Sequence, residues 1–234
     1  MTHDFDRDYW EQHWRAAGIA PGSMGGHPPN PYLASEISGL PPGTALDAGC
    51  GAGAEAIWLA ARGWQVTAAD ISAEALARAA RRAAAEGVSE GLRWVEADLS
   101  VWHPDARFDL VMTHYAHPAI PQLQFYDRIA GWVAPGGTLL IVGHLHPNRH
   151  GAAHGHAHGH GHGHGQPHGQ PHGNGDGCAH QPPAEASVTA EAITARLGET
   201  AWEVVTATQR HRTLVGPGGA GIALHDVVVR ATRR

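Results

Sequence analysis

LDAGCGAGAEA, residues Leu46–Ala56, sets Gly49, Gly51 and Gly53 at alternate positions between an apolar run and a helix-forming one. TALDAG (Thr44–Gly49) reads as a buried strand, and AEAIWLAARG (Ala54–Gly63) as a helix that closes at its glycine. Glycines placed between a strand and a helix let the backbone turn sharply and let a ligand approach it closely. Asp70 follows Asp47 by twenty-three residues, at the end of the next apolar run, WQVTAAD. A carboxylate in that place can accept both hydroxyls of a ribose.

Working outward, strand and helix patterns alternate. Before the glycine turn, a helix is expected over Asp6–Ala17, with Trp10 and Trp14 four apart on one face. A Gly- and Pro-rich loop (Pro21–Pro31) and a short helix (Tyr32–Ile37) follow it. After Asp70 come a helix capped by Ser72 and stopped near Gly87, a strand LRWVEAD ending at Asp98, and a strand FDLVMTH. Next come a helix in IPQLQFYDRIAGWV and a strand GGTLLIVGH. The chain closes with a helix in TAEAITARLG and two strands, WEVVTATQRHRT and IALHDVVVRAT, joined by GPGGAG. Strands separated by helices imply a parallel sheet covered on both faces, and the closing pair reads as an antiparallel hairpin. The expected fold is α/β: a Rossmann-like, doubly wound, seven-stranded mixed sheet with a C-terminal antiparallel hairpin.

The chain has 234 residues, 42% hydrophobic and 16% charged, which suits a packed core. Four regions are expected: an N-terminal helical lid (1–38), a ligand-binding core (39–146), a His/Gly-rich flexible insertion (147–183), and a helix and hairpin that complete the core (184–234). Net charge is −6 and no Lys is present, so nothing favours nucleic acid or an anionic membrane as partner. Two distant cysteines, Cys50 and Cys178, do not make a disulfide framework. The N-terminus is polar and acidic, unlike a signal peptide, and no apolar run approaches the ~18 residues of a membrane span. A cytoplasmic location is the expectation.

Two ligands compete for the glycine turn. Gly49, Gly51 and Ala54 satisfy the loose dinucleotide pattern G-x-G-x-x-G/A, which would suit an NAD(P)-dependent oxidoreductase. S-adenosyl-L-methionine (SAM) fits better. Asp47 lies just before the glycines, where a pyrophosphate would meet negative charge but the cationic sulfonium and ammonium of SAM would be attracted. Asp98 ends the third strand, where a carboxylate can pair with an adenine amino group. With these residues, the chain resembles the class I SAM-dependent methyltransferases over about Thr44–Val142, and more loosely over the closing hairpin. The resemblance implies that the methionine part of SAM lies near Asp47, Gly49 and Gly51, within a cofactor loop that runs on to Gly53. It places the ribose at Asp70 and the adenine near Ile71, Asp98 and Leu99. YWEQHW (Tyr9–Trp14) resembles the opening helix of the tellurite-resistance and thiopurine small-molecule type, which implies that Trp10 and Trp14 form an aromatic lid over SAM.

Methyl transfer is an in-line displacement that needs an aligned nucleophile and excluded water. A base is needed only where the nucleophile arrives protonated. The fourth strand runs out into THYAHP, placing His114, Tyr115 and His117 at the carboxyl edge of the sheet, where such folds bind ligands. No NPPY-like sequence follows that strand, which disfavours adenine and glutamine acceptors. A small molecule is the expected acceptor.

Twelve of the twenty histidines fall between His144 and His180. His154, His156, His158, His160, His162 and His164 recur at spacing two among glycines, a composition suited to binding Zn²⁺ or Ni²⁺. Cys178 beside His180 is a further soft ligand. A metal-loaded loop that gates the pocket is one expectation; a metal buffer or chaperone on a methyltransferase fold is another.

Overall fold

The computed structural model describes residues 5–17, 26–145, 187–215 and 221–234. The expected His154–His164 metal ligands, Cys178 and His180 lie outside the described residues, as does most of the GPGGAG turn.

Seven strands form one mixed sheet. They are β1 (Thr44–Ala48), β2 (Gln65–Asp70), β3 (Leu92–Glu96), β4 (Phe108–His114), β5 (Val133–His144), β6 (Trp202–Val215) and β7 (Gly221–Arg233). Their order is β3-β2-β1-β4-β5-β7-β6. The first five strands run parallel, and β7 pairs antiparallel with both β5 and β6. The helices are α1 (Arg7–Ala16), α2 (Pro31–Ile37), α3 (Ala54–Ala60), α4 (Ala73–Ala85), α5 (Gln122–Ala130) and α6 (Ala190–Thr194).

Period-two alternation divides the core between the two faces of this sheet. Ala45, Leu110, Met112, Leu140, Val142 and Val228 pack with α2 and α3 on one face. Leu46, Val111, Leu139, Ile141, Val227 and Val229 pack with α5 and α6 on the other. Central strands buried on both sides need continuous apolar runs, and LLIV (139–142) and VVV (227–229) are fully buried.

Side-chain caps start the helices where expected. Ser72 accepts the Ala75 N–H at 3.1 Å for α4, and Asn30 accepts the Tyr32 N–H at 3.0 Å, with Pro31 opening α2. The helix expected in TAEAITARLG is shorter than its pattern. It is capped by Thr189, but after Thr194 it tightens into i→i+3 turns at Arg196 and Leu197.

The strand order reverses between β1 and β4: β2 and β3 lie on one side of β1, and β4 and β5 on the other. Open α/β sheets bind ligands in the crevice outside the carboxyl ends of the strands at such a switch point. Asp47 and His114 stand on either side of it.

Candidate active site

The glycine turn is left-handed at all three glycines, with φ of +85° at Gly49, +50° at Gly51 and +76° at Gly53. Space enforces glycine as firmly as conformation does. A Cβ at Gly49 would collide with Ala116 Cβ, and one at Gly51 would lie 2.8 Å from Trp14 Cζ2. The turn hangs on the neighbouring strand: the Gly49 and Cys50 N–H groups donate to the Ala69 carbonyl at 2.8 and 3.0 Å. Cys50 is buried inside it, and burial pushes its thiol pKa well up, as befits a packed and unreactive group.

Three carboxylates crowd this end of the sheet. Asp47 is 1% exposed, and its Oδ2 has no hydrogen-bond partner among the described residues. Burial, then the Glu55 and Asp70 carboxylates, push its pKa well above the ordinary range. Asp70 is also pushed up by burial, against the opposing effect of its hydrogen bonds. Its Oδ2 accepts the Gly51 N–H at 2.8 Å and its Oδ1 the Ser72 N–H at 2.9 Å. Asp98, at the end of β3, turns one oxygen back onto Ser100, taking its N–H at 2.8 Å and its hydroxyl at 2.6 Å. Leu99 is buried, and Ile71 is half-buried beside Asp70.

Helix α1 straps across these strand ends. Trp14 is buried against Ala52 and Ala75. Trp10 Nε1 donates to the His117 carbonyl at 3.2 Å. Glu11 Oε1 accepts the Ala73 N–H at 2.6 Å, capping α4 from outside, and Arg7 pairs with Glu96 at the end of β3. The two tryptophans thus touch the loops after β1 and β4, and their neighbours hold the ends of β2 and β3.

Beyond β4 the three candidate catalytic residues separate in role. His114 follows Met112 by two residues and so shares its face; Met112 is paired with Asp47, so His114 and Asp47 face the same way on adjacent strands. Both its ring nitrogens are buried and without a partner among the described residues. Burial holds the imidazole below its ordinary pKa, hence neutral, with Glu55 opposing the shift. Tyr115 has φ of +58° and is the one described non-glycine residue in the left-handed region. Its hydroxyl donates to Asp226 Oδ1 at 2.8 Å and accepts from Arg212 Nη2 at 2.9 Å. Burial and Asp226 raise its pKa, and the hydroxyl ties the bend to both hairpin residues. His117 stacks on His144, with ring centroids 5.3 Å apart, and burial lowers its pKa too.

Sequence reading missed several of these parts. Arg212 and Asp226 come from the hairpin, and Arg212 Nε donates to the fully buried Asp226 Oδ2 at 2.7 Å. Glu55 accepts the Asn30 N–H at 2.9 Å. Gln122 is buried and donates to the Ala116 carbonyl at 2.9 Å. An Asp inside the run HDVVV, flanked by buried strand residues, is the signal that marked Asp226. Among the described residues, no group of three or more His, Cys, Asp or Glu side chains is gathered to hold a metal.

Comparison with known proteins matches this arrangement to one family. The methyltransferase domain family matches residues 45–137. An uncharacterized methyltransferase of Mycobacterium bovis is 40% identical over 105 residues, 44% of this chain and 51% of the relative. The release factor glutamine methyltransferase of Chlorobaculum tepidum is 45% identical over 107 residues, 39% of this chain and 36% of the relative. Thiocyanate methyltransferase 1 of Brassica oleracea is 32% identical over 111 residues, 47% of this chain and 49% of the relative. The chain spans about half the length of the curated relatives it matches. Among solved structures, the N-methyltransferase NodS of Bradyrhizobium japonicum, in complex with S-adenosyl-L-homocysteine, superposes with a TM-score of 0.60 at 16% identity. That match covers 95% of this chain and 97% of NodS. TehB of Haemophilus influenzae superposes at 0.61 with 13% identity, covering 97% of this chain and 67% of TehB. Residues 45–137 thus match the methyltransferase domain family, and the seven-stranded sheet shares the fold of NodS.

Proposed function

We propose that the chain transfers a methyl group from SAM to a small-molecule acceptor. The observation that carries this reading is the unpartnered, fully buried carboxylate oxygen of Asp47, crowded by Glu55 and Asp70. Such a site lacks a cation, and SAM brings two, its ammonium and its sulfonium. A dinucleotide would add pyrophosphate charge beside the same three acids, at a Coulomb cost.

The residues present fit the cofactor. Asp47 would take the ammonium of the methionine part. Each Asp70 oxygen spends one lone pair on a backbone N–H, which leaves the other for a ribose hydroxyl. Asp98, Ile71 and Leu99 would border the adenine. When bound, the cofactor supplies a methyl group activated by positively charged sulfur. The protein's own work is positioning and desolvation. Trp14 and Trp10 close the turn from above, Gly49 and Gly51 leave no side chain in the way, and His114 marks the acceptor side. The name of the Brassica relative supports a small acceptor.

Titration calorimetry tests this. Wild-type chain should bind SAM and S-adenosyl-L-homocysteine, and Asp70→Ala should weaken both by at least about tenfold, roughly 1.4 kcal/mol. Absence of binding to the wild-type chain overturns the reading.

A further inference from the structure

The family relationship is carried mostly by residues 45–137, and relatives that share it differ widely in the acceptors they are named for. The acceptor class must therefore be read from the side chains around His114, many of which lie outside that range. Two observations bear on it: what His114 lacks, and which charges surround it.

A buried neutral imidazole has one N–H to donate and one nitrogen to accept. Neither nitrogen of His114 is used by the described protein, although leaving a buried polar atom unmet is costly. Tyr115 next to it is committed through its hydroxyl, and the Thr113 hydroxyl donates to the Ala48 carbonyl at 2.8 Å. His114 alone of this strand end keeps its polar atoms for something else.

The surrounding charge is negative. Asp47 on β1 and Glu55 on α3 lie on the His114 face, and Asp226 on β7 lies further along it. The guanidinium groups at this end of the sheet are spent, whereas Arg230, whose Nε has no partner among the described residues, stands one pleat row deeper, opposite Leu140 and level with Met112. Arg212 holds Asp226 and the Tyr115 hydroxyl. Arg210 lies 4.0 Å from Glu36 and over the Tyr32 ring. Burial keeps His27 and His117 toward the neutral form as well. An anionic acceptor would have to give up its hydration here among carboxylates, with the sulfonium that the reaction consumes as its one close cation.

Building on the methyltransferase reading, we propose that the acceptor is an uncharged molecule whose nucleophilic atom carries a proton, and that His114 takes that proton as the methyl group arrives. Thiols, phenols and alcohols are of this class; thiocyanate, halides and carboxylates are not. The nucleophilic atom forms its bond to the methyl carbon with its own electron pair. The methyl carbon–sulfur bond breaks and leaves its pair on sulfur. The nucleophile's bond to hydrogen breaks, and the proton goes to the accepting nitrogen of His114. One positive charge enters the step on sulfur and one leaves it on imidazolium, beside Glu55, so the buried site never changes its total charge. An anion would instead bury a negative charge among carboxylates before reaction.

The test uses the full chain with SAM at pH 7.5, offered 2-mercaptoethanol, phenol and catechol, and separately thiocyanate, iodide and benzoate. Methylated product and released S-adenosyl-L-homocysteine are read by mass spectrometry. Product should form from the uncharged set alone, and His114→Asn should lower it by about 10²–10⁴-fold. The affinity for S-adenosyl-L-homocysteine, read by calorimetry, should stay within about twofold of wild type. Methylation of any of the three anions overturns the proposal. So does uncharged turnover kept within threefold in His114→Asn, or no turnover of all three uncharged probes by a chain that binds SAM. A chain that binds neither SAM nor its product overturns the methyltransferase reading instead. Should His114→Asn fail to fold, the ¹⁵N spectrum of wild-type histidine rings decides: His114 should be a neutral imidazole at pH 7.5, the pH of the assay, and an imidazolium there overturns its role as base.

Discussion

Trp14 of α1 lies directly over Gly51 of the glycine turn, so close that a Cβ at Gly51 would sit 2.8 Å from Trp14 Cζ2. The opening helix and the central turn are therefore one packed unit, although thirty-seven residues separate them in sequence. Gly51→Ala suffers twice, from the left-handed φ of +50° and from this contact. The conformational part alone should cost about 1–2 kcal/mol. Trp14→Ala should relieve the steric part, so a double-mutant cycle read by urea unfolding should show coupling of about 0.5–3 kcal/mol. Strict additivity would mean that the two do not press on each other in solution.

Glu11 is the second tie between α1 and the core. Its carboxylate accepts the Ala73 N–H at 2.6 Å, at the first residue of α4, whose own cap is Ser72. Glu11→Ala should lose about 1 kcal/mol, in the range of a cap. Hydrogen exchange should accelerate at the Ala73 amide and through α1, and leave β5 and β7 unchanged.

Asp226 and Arg212 brace the left-handed bend at Tyr115 from the far side of the sheet. Asp226→Ala strands a part-buried guanidinium and should destabilise by about 3–5 kcal/mol in urea unfolding. Tyr115→Phe removes one partner from each of the two charged groups and should cost less, about 1–3 kcal/mol. Pairing Asp226→Leu with Arg212→Met should recover part of the first loss.

Asp47 makes stability fall with pH. Its folded-state pKa is raised by burial, Glu55 and Asp70, so the folded protein holds this proton more tightly than the unfolded chain does. The resulting stability is fully present below the ordinary carboxylate pKa of about 4 and is lost as pH rises through the raised value. Asp47→Asn should flatten that slope and stabilise the cofactor-free protein near neutral pH, in urea titrations at a series of pH values. A bound cation reverses the shift, so SAM binding should release protons. Calorimetry in buffers of different ionisation enthalpy reads that release, which Asp47→Asn should abolish.

Local pattern determined a good deal of this protein. Alternating apolar runs and helix periods, punctuated by Ser72, Gly63 and Gly87, yield the seven strands and the major helices, because burial on both sheet faces demands those runs. The glycine turn and its acidic strand ends were legible for the same reason: strand, turn and helix follow one another in the chain, so Asp47, Gly49, Gly51 and Asp70 are placed by local geometry. The roles at the rim were not legible. THYAHP presents two histidines and a tyrosine as near equals, and only packing separates them. The hairpin's Arg212 and Asp226 bind the Tyr115 hydroxyl, α1 and Gln122 hold the segment that includes His117, and His114 is left buried with both nitrogens unmet. Whether a buried polar group is satisfied depends on partners far away along the chain, which residue type and spacing do not encode. Tertiary structure therefore decided which side chain at the end of β4 keeps its polar atoms without a partner among the described residues.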